Sequence, residues 1–489
     1  MRKIIINIIL GSFNCCSLFA QIDFNKHHNT GKGDLYGSIL EYNNYYYLSG
    51  KNFNASGFGK KYLSKVDMNG DTVFIKGFGT DSAKYYDGTS KNLIHLNNKF
   101  YQAGCKIDYT NNLTVPILLI TNENGDSLKM LEFYGYDSAV FQTLILDRYG
   151  DLLLAGSIAI SDGTWQFFLM KTDSLGNIKW TNQYGGVGFE EAYSIDTTID
   201  GNYIMSGFTD SYGSGAWDVY VVKVDSGGVF QWQKYFGSTS NDAGWVKSLD
   251  NGQYLIFGGN YVVGYSNQKA FVRKINSNGN LIWHKNFINL TSSSEPFWSM
   301  AFDTINNSFI FGGMMFDALI NSGNPVGYFV RTDTSGNQIF YRTYKISDND
   351  NYLNDVIISS DNHIVACGYA FPDGAGVLTE DGWIIKLDSV GCLVNGCNLD
   401  VDEEKQSENA FIIYPNPNNG VFTIESSSTN FINEKIQFTV YDIMGKEVYS
   451  IELKNQIQNT VQINLPGAYY FGVLKLDGNI LQTFKVVIE

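Results

Sequence analysis

Short apolar runs alternate with polar breaks along most of this chain. Residues 192–236 show the pattern clearly. AYSIDTT, NYIMSGF, DVYVVKVD and FQWQKYF follow one another, each rich in β-branched or aromatic residues. Alternating side chains of a strand face opposite ways, so such runs read as half-buried strands. Thr198-Ile199-Asp200-Gly201 separates the first pair and Asp225-Ser226-Gly227-Gly228 the last. Asp at the first turn position and Gly at the last suit a tight type I turn, often followed by a bulge. Neither the period nor the turn chemistry suits helices.

The pattern recurs. KVDMNG at Lys65, ITNENG at Ile120, KTDSLG at Lys171, KVDSGG at Lys223, KINSNG at Lys274, RTDTSG at Arg331 and KLDSVG at Lys386 make seven copies, spaced by 55, 51, 52, 51, 57 and 55 residues. A second marker keeps the same phase: a β-rich run closed by Gly50, Gly104, Gly156, Gly207, Gly258, Gly312 and Gly368. Four strands per unit and seven units predict an all-β fold, a seven-bladed β-propeller over residues 21–397. The seventh unit lacks a fourth strand, since CLVNGCNLDVDEEK follows Gly391. Residues near 22–28 are expected to supply it and close the ring, with Phe24 near the recurring aromatic position.

Most repeated residues read as scaffold. Trp180, Trp232, Trp283, Phe74 and Phe340 stand four residues after the turn glycine, and are expected to pack between blades; Lys129 breaks the rule. Lys65, Lys171, Lys223, Lys274, Arg331 and Lys386 form a basic ring, expected to pair with the acidic or amide residue two positions on.

Composition narrows the function. The 489 residues are 44% hydrophobic and only 17% charged, with a formal net charge of -15. No basic run offsets that charge, so nucleic acid is not an expected partner. Five histidines, and no HExxH, GxSxG or P-loop, leave no recognisable catalytic or metal motif and no implied cofactor. Asp and Glu are plentiful, so a glycosidase-type acid pair stays open, but nothing selects one. The long polar loops between second and third strands are the candidate ligand sites. In them Asp210, Ser211, Asn260, Asp317, Asn321 and Asp373 suit a glycan or calcium, or simply solvated turns.

The ends carry the addressing. MRKIIINIILGSFNCCSLFA, residues 1–20, has a basic start, an apolar core and a small final residue, and reads as a cleaved signal peptide. No later stretch reads as a transmembrane segment. In an exported protein Cys392 and Cys397 are expected to form a disulfide at the end of the propeller, and Cys105 and Cys367 to remain buried thiols. Residues 398–410 form an acidic linker. Residues 411–489 resume alternating strands, enough for a small β-sandwich.

That last segment resembles a known family. Tyr414-Pro415-Asn416-Pro417-Asn418-Asn419-Gly420, Tyr441-Asp442-Ile443-Met444-Gly445-Lys446 and Leu465-Pro466-Gly467-Ala468-Tyr469-Tyr470 are similar to the motifs of type A C-terminal sorting domains. The resemblance implies a Bacteroidota protein, read by the type IX secretion translocon and delivered through periplasm and outer membrane. The cargo is then released or held at the cell surface. It also implies O-glycosylation at Asp-Ser/Thr sites such as Asp71-Thr72-Val73 and Asp126-Ser127-Leu128, which turn chemistry explains equally well. The functional expectation is a binding scaffold for glycan or surface protein. The alternatives are a secreted carbohydrate-active enzyme and a structural adhesion protein.

Overall fold

The computed structural model describes residues 23–54, 57–80, 83–88, 91–109, 112–161, 163–262, 268–289, 292–317, 321, 323–373, 380–393, 411–426, 436–442, 446–454, 456–476 and 479–488. The expected signal peptide and the linker 398–410 lie outside them. The chain divides into two compact units, residues 1–395 and 396–489.

Seven antiparallel sheets build the first unit. The first blade runs outward through Gly33–Tyr42, Tyr45–Phe53, Gly59–Asp67 and Thr72–Phe78. In the second blade the innermost strand is split into Lys84–Asp87 and Leu93–Leu96, both paired to Lys99–Asp108. The innermost strands of blades three to five are Ala139–Leu146, Glu190–Thr197 and Ala243–Ser248. Those of blades six and seven are Phe297–Asp303 and Asn351–Ile358. The seventh blade takes its outermost strand from the other end of the chain. Phe24–His28 pairs antiparallel with Asp381–Leu387, Phe24 opposite Lys386 and His28 opposite Gly382. Trp383, fully buried, donates its indole N–H to Asn25 Oδ1 at 2.6 Å.

Packing between blades explains the repeat. Each turn glycine has a positive φ, between 75° and 83° at Gly70, Gly125, Gly176, Gly228, Gly279, Gly336 and Gly391. Only glycine takes that conformation without steric cost. The ring of the preceding blade fills the space a Cβ would need. Phe24 covers Gly70, Phe74 covers Gly125 and Trp180 covers Gly228; Trp232, Trp283 and Phe340 cover Gly279, Gly336 and Gly391. In the second blade, where Lys129 breaks the aromatic rule, Leu131 reaches Gly176 instead. The contact therefore runs round all seven junctions, with the N-terminal Phe24 serving the seventh.

Four of the six basic-ring residues pair with acids within their own blades, but with different partners from those expected. Lys171 meets Asp147 at 2.8 Å, Lys223 meets Asp200 at 2.7 Å and Lys386 meets Asp361 at 2.6 Å, and Arg331 pairs with Asp303. Those acids sit in or beside the turn between first and second strands. The Asp two positions on is occupied by its own turn: Asp333 Oδ1 accepts from the amides of Ser335 and Asn337. Lys65, whose blade has Asn43-Asn44 at that turn, lies 3.8 Å from the Tyr45 ring centroid.

Another junction links the start of each third strand to the start of the next innermost strand. Lys61 pairs with Asp87, and Lys269 with Glu295 at 3.2 Å. Asp218 faces Asp242 across the same kind of junction, both turned toward Gly237, and Asp218 Oδ1 is buried without a hydrogen-bond partner.

Cys105 and Cys367 are buried free thiols, as expected, and burial pushes the Cys105 thiol up to about 12. Cys392 is buried and disulfide-bonded; Cys397 lies outside the described residues.

The second unit is a two-sheet sandwich. Phe411–Tyr414, Val421–Ser426 and Gln458–Gln462 form one sheet. Glu447–Glu452, Ile436–Tyr441, Ala468–Leu476 and Asn479–Ile488 form the other. Phe411, Phe422 and Ile424 from the first meet Phe438, Leu474 and Val486 from the second in one core.

Candidate functional site

Bulges aim side chains at the propeller axis. In blades one, three, four, six and seven the innermost strand carries one extra residue relative to its partner: Gly37, Gln142, Tyr193, Trp298 and Asn354. A bulge bends its strand and redirects the extra side chain. Four of these five, Gly37, Tyr193, Trp298 and Asn354, line one cavity of about 510 Å³, formed by the first halves of the innermost strands. The fifth, Gln142, lines a neighbouring cavity and donates to Glu191 at 2.6 Å. Sequence reasoning looked to the loops and missed this cup. The available signal was a large or polar residue one place before the small one that recurs mid-strand.

The wall of the cup is aromatic. Tyr193 stacks on Trp245 with centroids 5.1 Å apart, and Trp217 on Phe208 at 4.5 Å. Across the cup Tyr369 stacks on Tyr352 at 4.6 Å, and Tyr352 lies parallel to Trp298 at 6.3 Å. Trp245 keeps a buried indole N–H with no acceptor among the described residues. Polar lining comes from Lys51, Asp87, Gln268 and Asn354.

A buried polar belt tightens the ring below the cup. Asp355 accepts from the hydroxyls of Ser38 at 2.9 Å and Ser299 at 2.7 Å, and Lys91 reaches it at 2.8 Å. That one carboxylate ties together blades seven, one, six and two. The second halves of the innermost strands line a separate cavity of about 430 Å³, mostly aliphatic, with an Asp196–Lys247 ion pair at 2.8 Å.

The six loop residues singled out from sequence lie around the rim, spread over four blades. Exposed Asp210 accepts from the Phe189 amide, and Ser211 Oγ accepts from the Gly188 amide at 2.7 Å. Asp373 accepts from the Asp348 amide at 2.8 Å, and buried Asn321 donates to the Asn349 carbonyl at 2.9 Å. Buried Asp317 accepts from Asn289 at 3.4 Å. Asn260 Oδ1 is buried without a partner among the described residues. None of the six lines the cup. No cluster of three metal-ligating side chains occurs among the described residues.

In the sandwich the motif residues lock the first strand to the last. Asn416 donates to the Lys485 carbonyl at 2.5 Å and accepts from the Val487 amide at 2.8 Å. Asn418 Oδ1 accepts from the Gly420 amide at 2.8 Å, with Gly420 at φ 90°. The bonds Tyr414–Pro415 and Asn416–Pro417 are cis. Asp442 closes its hairpin by accepting from the Lys446 amide at 3.0 Å; Gly445 lies outside the described residues. Pro466 accepts from the Tyr470 hydroxyl at 2.9 Å, and half-buried Leu465 packs against the core. Tyr469, next to Gly467-Ala468, stays exposed under the Lys485 ammonium; Tyr414 at the first strand is also exposed.

Residues 412–489 match the family described as a secretion system C-terminal sorting domain. No curated protein matches the chain. Similar solved structures include the β-propeller domain of the Trilobed protease from Pyrococcus furiosus, with 7% identity and a TM-score of 0.40 over 76% of this chain and 99% of that one. A puromycin hydrolase variant complexed with PGG is 8% identical with a TM-score of 0.47, over 82% of this chain. Pyrococcus horikoshii acylaminoacyl peptidase is 10% identical with a TM-score of 0.39, also over 82% of this chain. This chain spans 59% of each of the last two. No helix among the described residues is long and apolar enough to cross a membrane. The chain is a β-propeller whose residues 412–489 form a secretion-system C-terminal sorting domain, the address that sends it through the type IX secretion machinery to the cell surface or the extracellular space.

Proposed function

We propose that the propeller is a binding scaffold that holds a glycan in its axial cup, and that the sorting domain serves only delivery. The bulge-aimed aromatic wall is the observation that carries this reading. Stacked rings offer flat apolar faces to the C–H faces of sugars at small entropic cost. The rings are already stacked on one another, so little ordering remains to oppose binding.

The chemistry argues against hydrolysis in the cup. A glycosidase needs two carboxyl groups flanking the bond. Asp87 is the single carboxylate among the lining residues, and Lys61 holds it in a buried ion pair. The six rim residues remain candidates for secondary contacts with a longer ligand. Glycan-array binding by the purified protein, with a hydrolysis assay on each hit, tests the proposal. Trp298→Ala is expected to weaken binding about five- to thirty-fold, since losing a stacked aromatic anchor costs on the order of 1–2 kcal/mol. Turnover of a bound glycan, or binding indifferent to Trp298→Ala in a folded protein, would refute it.

A further inference from the structure

The cup carries one unmatched charge. Among the described residues its lining holds a single cation, Lys51, and a single carboxylate, Asp87. Asp87 is compensated: besides the Lys61 ion pair it accepts from the Ser49 hydroxyl at 3.1 Å. Lys51 lies between rings instead, 4.6 Å from the Tyr86 centroid and 5.6 Å from that of Phe53. No carboxylate among the described residues forms an ion pair with it; Glu380 attracts it only at longer range, and burial lowers its pKa. A chain of net charge -15 thus presents, in this cavity, an ammonium with no ion-pair partner among the described residues. Lys51 therefore calls for an acceptor from outside the protein.

We infer that the cup selects an acidic glycan, with a uronic acid carboxylate received by Lys51 and the adjoining sugar faces laid on Tyr193 and Trp298. The inference rests on reading the cup as a glycan site. A carboxylate brought to Lys51 forms a charge-assisted hydrogen bond in a partly desolvated setting, where such bonds are strong. A neutral sugar can offer only a hydroxyl there. The ring contacts of Lys51 hold the ammonium in place and compete weakly, since cation–π attraction falls short of ionic pairing.

Uronate oligosaccharides and their carboxyl-reduced counterparts provide the test, because each pair shares linkage and ring faces and differs in charge. Titration calorimetry on the full-length protein should show at least one uronate oligosaccharide bound ten-fold or more tighter than its reduced form, with the difference shrinking as salt rises. Lys51→Met should bring that ratio to about one, and Lys51→Arg should keep most of it. Thermal melting separates misfolding from lost charge, and Lys51→Arg with the salt series carries the test if Lys51→Met fails to fold. Equal affinity for charged and reduced forms overturns the role of Lys51 and leaves the glycan reading standing. No binding of either form by the folded protein overturns the glycan reading itself.

Discussion

Two glycines in matching turns isolate the strength of the blade-to-blade contact. Gly150 and Gly336 both close turns in which an Asp side chain accepts from two backbone amides, Asp147 in one and Asp333 in the other. Their φ angles are 81° and 79°. A Cβ at Gly150 meets nothing within 4 Å. A Cβ at Gly336 lies 2.8 Å from Cη2 and 3.0 Å from Cζ3 of Trp283. Alanine at either site incurs the left-handed backbone penalty of about 1 kcal/mol. Ordinary carbon contacts sit near ~3.5–4.0 Å, so at Gly336 the indole must also retreat by roughly 0.5–1 Å. Overpacking of this kind costs about 1–3 kcal/mol. Gly150→Ala is thus expected to lose about 1 kcal/mol and Gly336→Ala about 2–4 kcal/mol. Urea unfolding followed by tryptophan fluorescence measures both, compared at constant m-value. Combining Gly336→Ala with Trp283→Leu should recover part of the loss, because the two sites share one contact. Equal losses at the two glycines, or strict additivity in the double variant, would show that the rings are not what excludes a side chain from these turns.

Further outcomes follow from other parts of the molecule. Deleting residues 21–29 removes Phe24, His27 with its 2.7 Å contact to Asp381, and the cover over Trp383; burying one large aromatic alone is worth about 3 kcal/mol, so the melting temperature should fall by several degrees or the propeller should open, and an unchanged melting temperature would refute ring closure. Burial chiefly, with Asp218 adding repulsion, raises the pKa of Asp242, so this group favours the folded state increasingly as pH falls from neutrality toward the ordinary carboxylate range, and the benefit is lost as pH rises through the raised value. Asp218→Asn should therefore stabilise the protein near neutral pH by about 1 kcal/mol and flatten the wild-type-minus-variant difference at low pH, whereas a pH-independent difference would refute the like-charge reading. Loss of residues 411–489 should abolish export from the native cell, read as absence of the propeller from surface and medium fractions.

The ring was legible because its determinants are local and repeated. A turn needs Asp and Gly at fixed places whatever surrounds it, and a ring packed on the next blade's glycine recurs with the same spacing. Seven copies let those weak signals reinforce one another. Phe24 could be placed because the contact it completes is the same contact. The partners of the basic ring were not legible in the same way. Lys171 and Asp147 are 24 positions apart, and pairing them requires knowing that the turn between the first two strands lies beside the third. The residue two positions on was nearer in sequence, but backbone amides had already claimed its carboxylate.

The cup stayed hidden for a related reason. A bulge adds one residue and breaks the alternation that makes strands readable. Tyr193 and Trp298 therefore looked like ordinary members of a buried run. Their importance lies in the direction the extra residue points, which only the pairing of innermost with second strand reveals: Ala192 faces Gly207, Ser194 faces Ser206, and Tyr193 is left over between them. The same offset leaves Trp298 between Phe297 and Ser299, and Asn354 between Leu353 and Asp355. The small or polar residue after each bulge also has its task, since Ser194, Ser299 and Asp355 supply the hydrogen bonds that join neighbouring blades below the cup. One irregularity thus does two things. It turns one side chain toward the cup, and it sets the next one to hold neighbouring blades together.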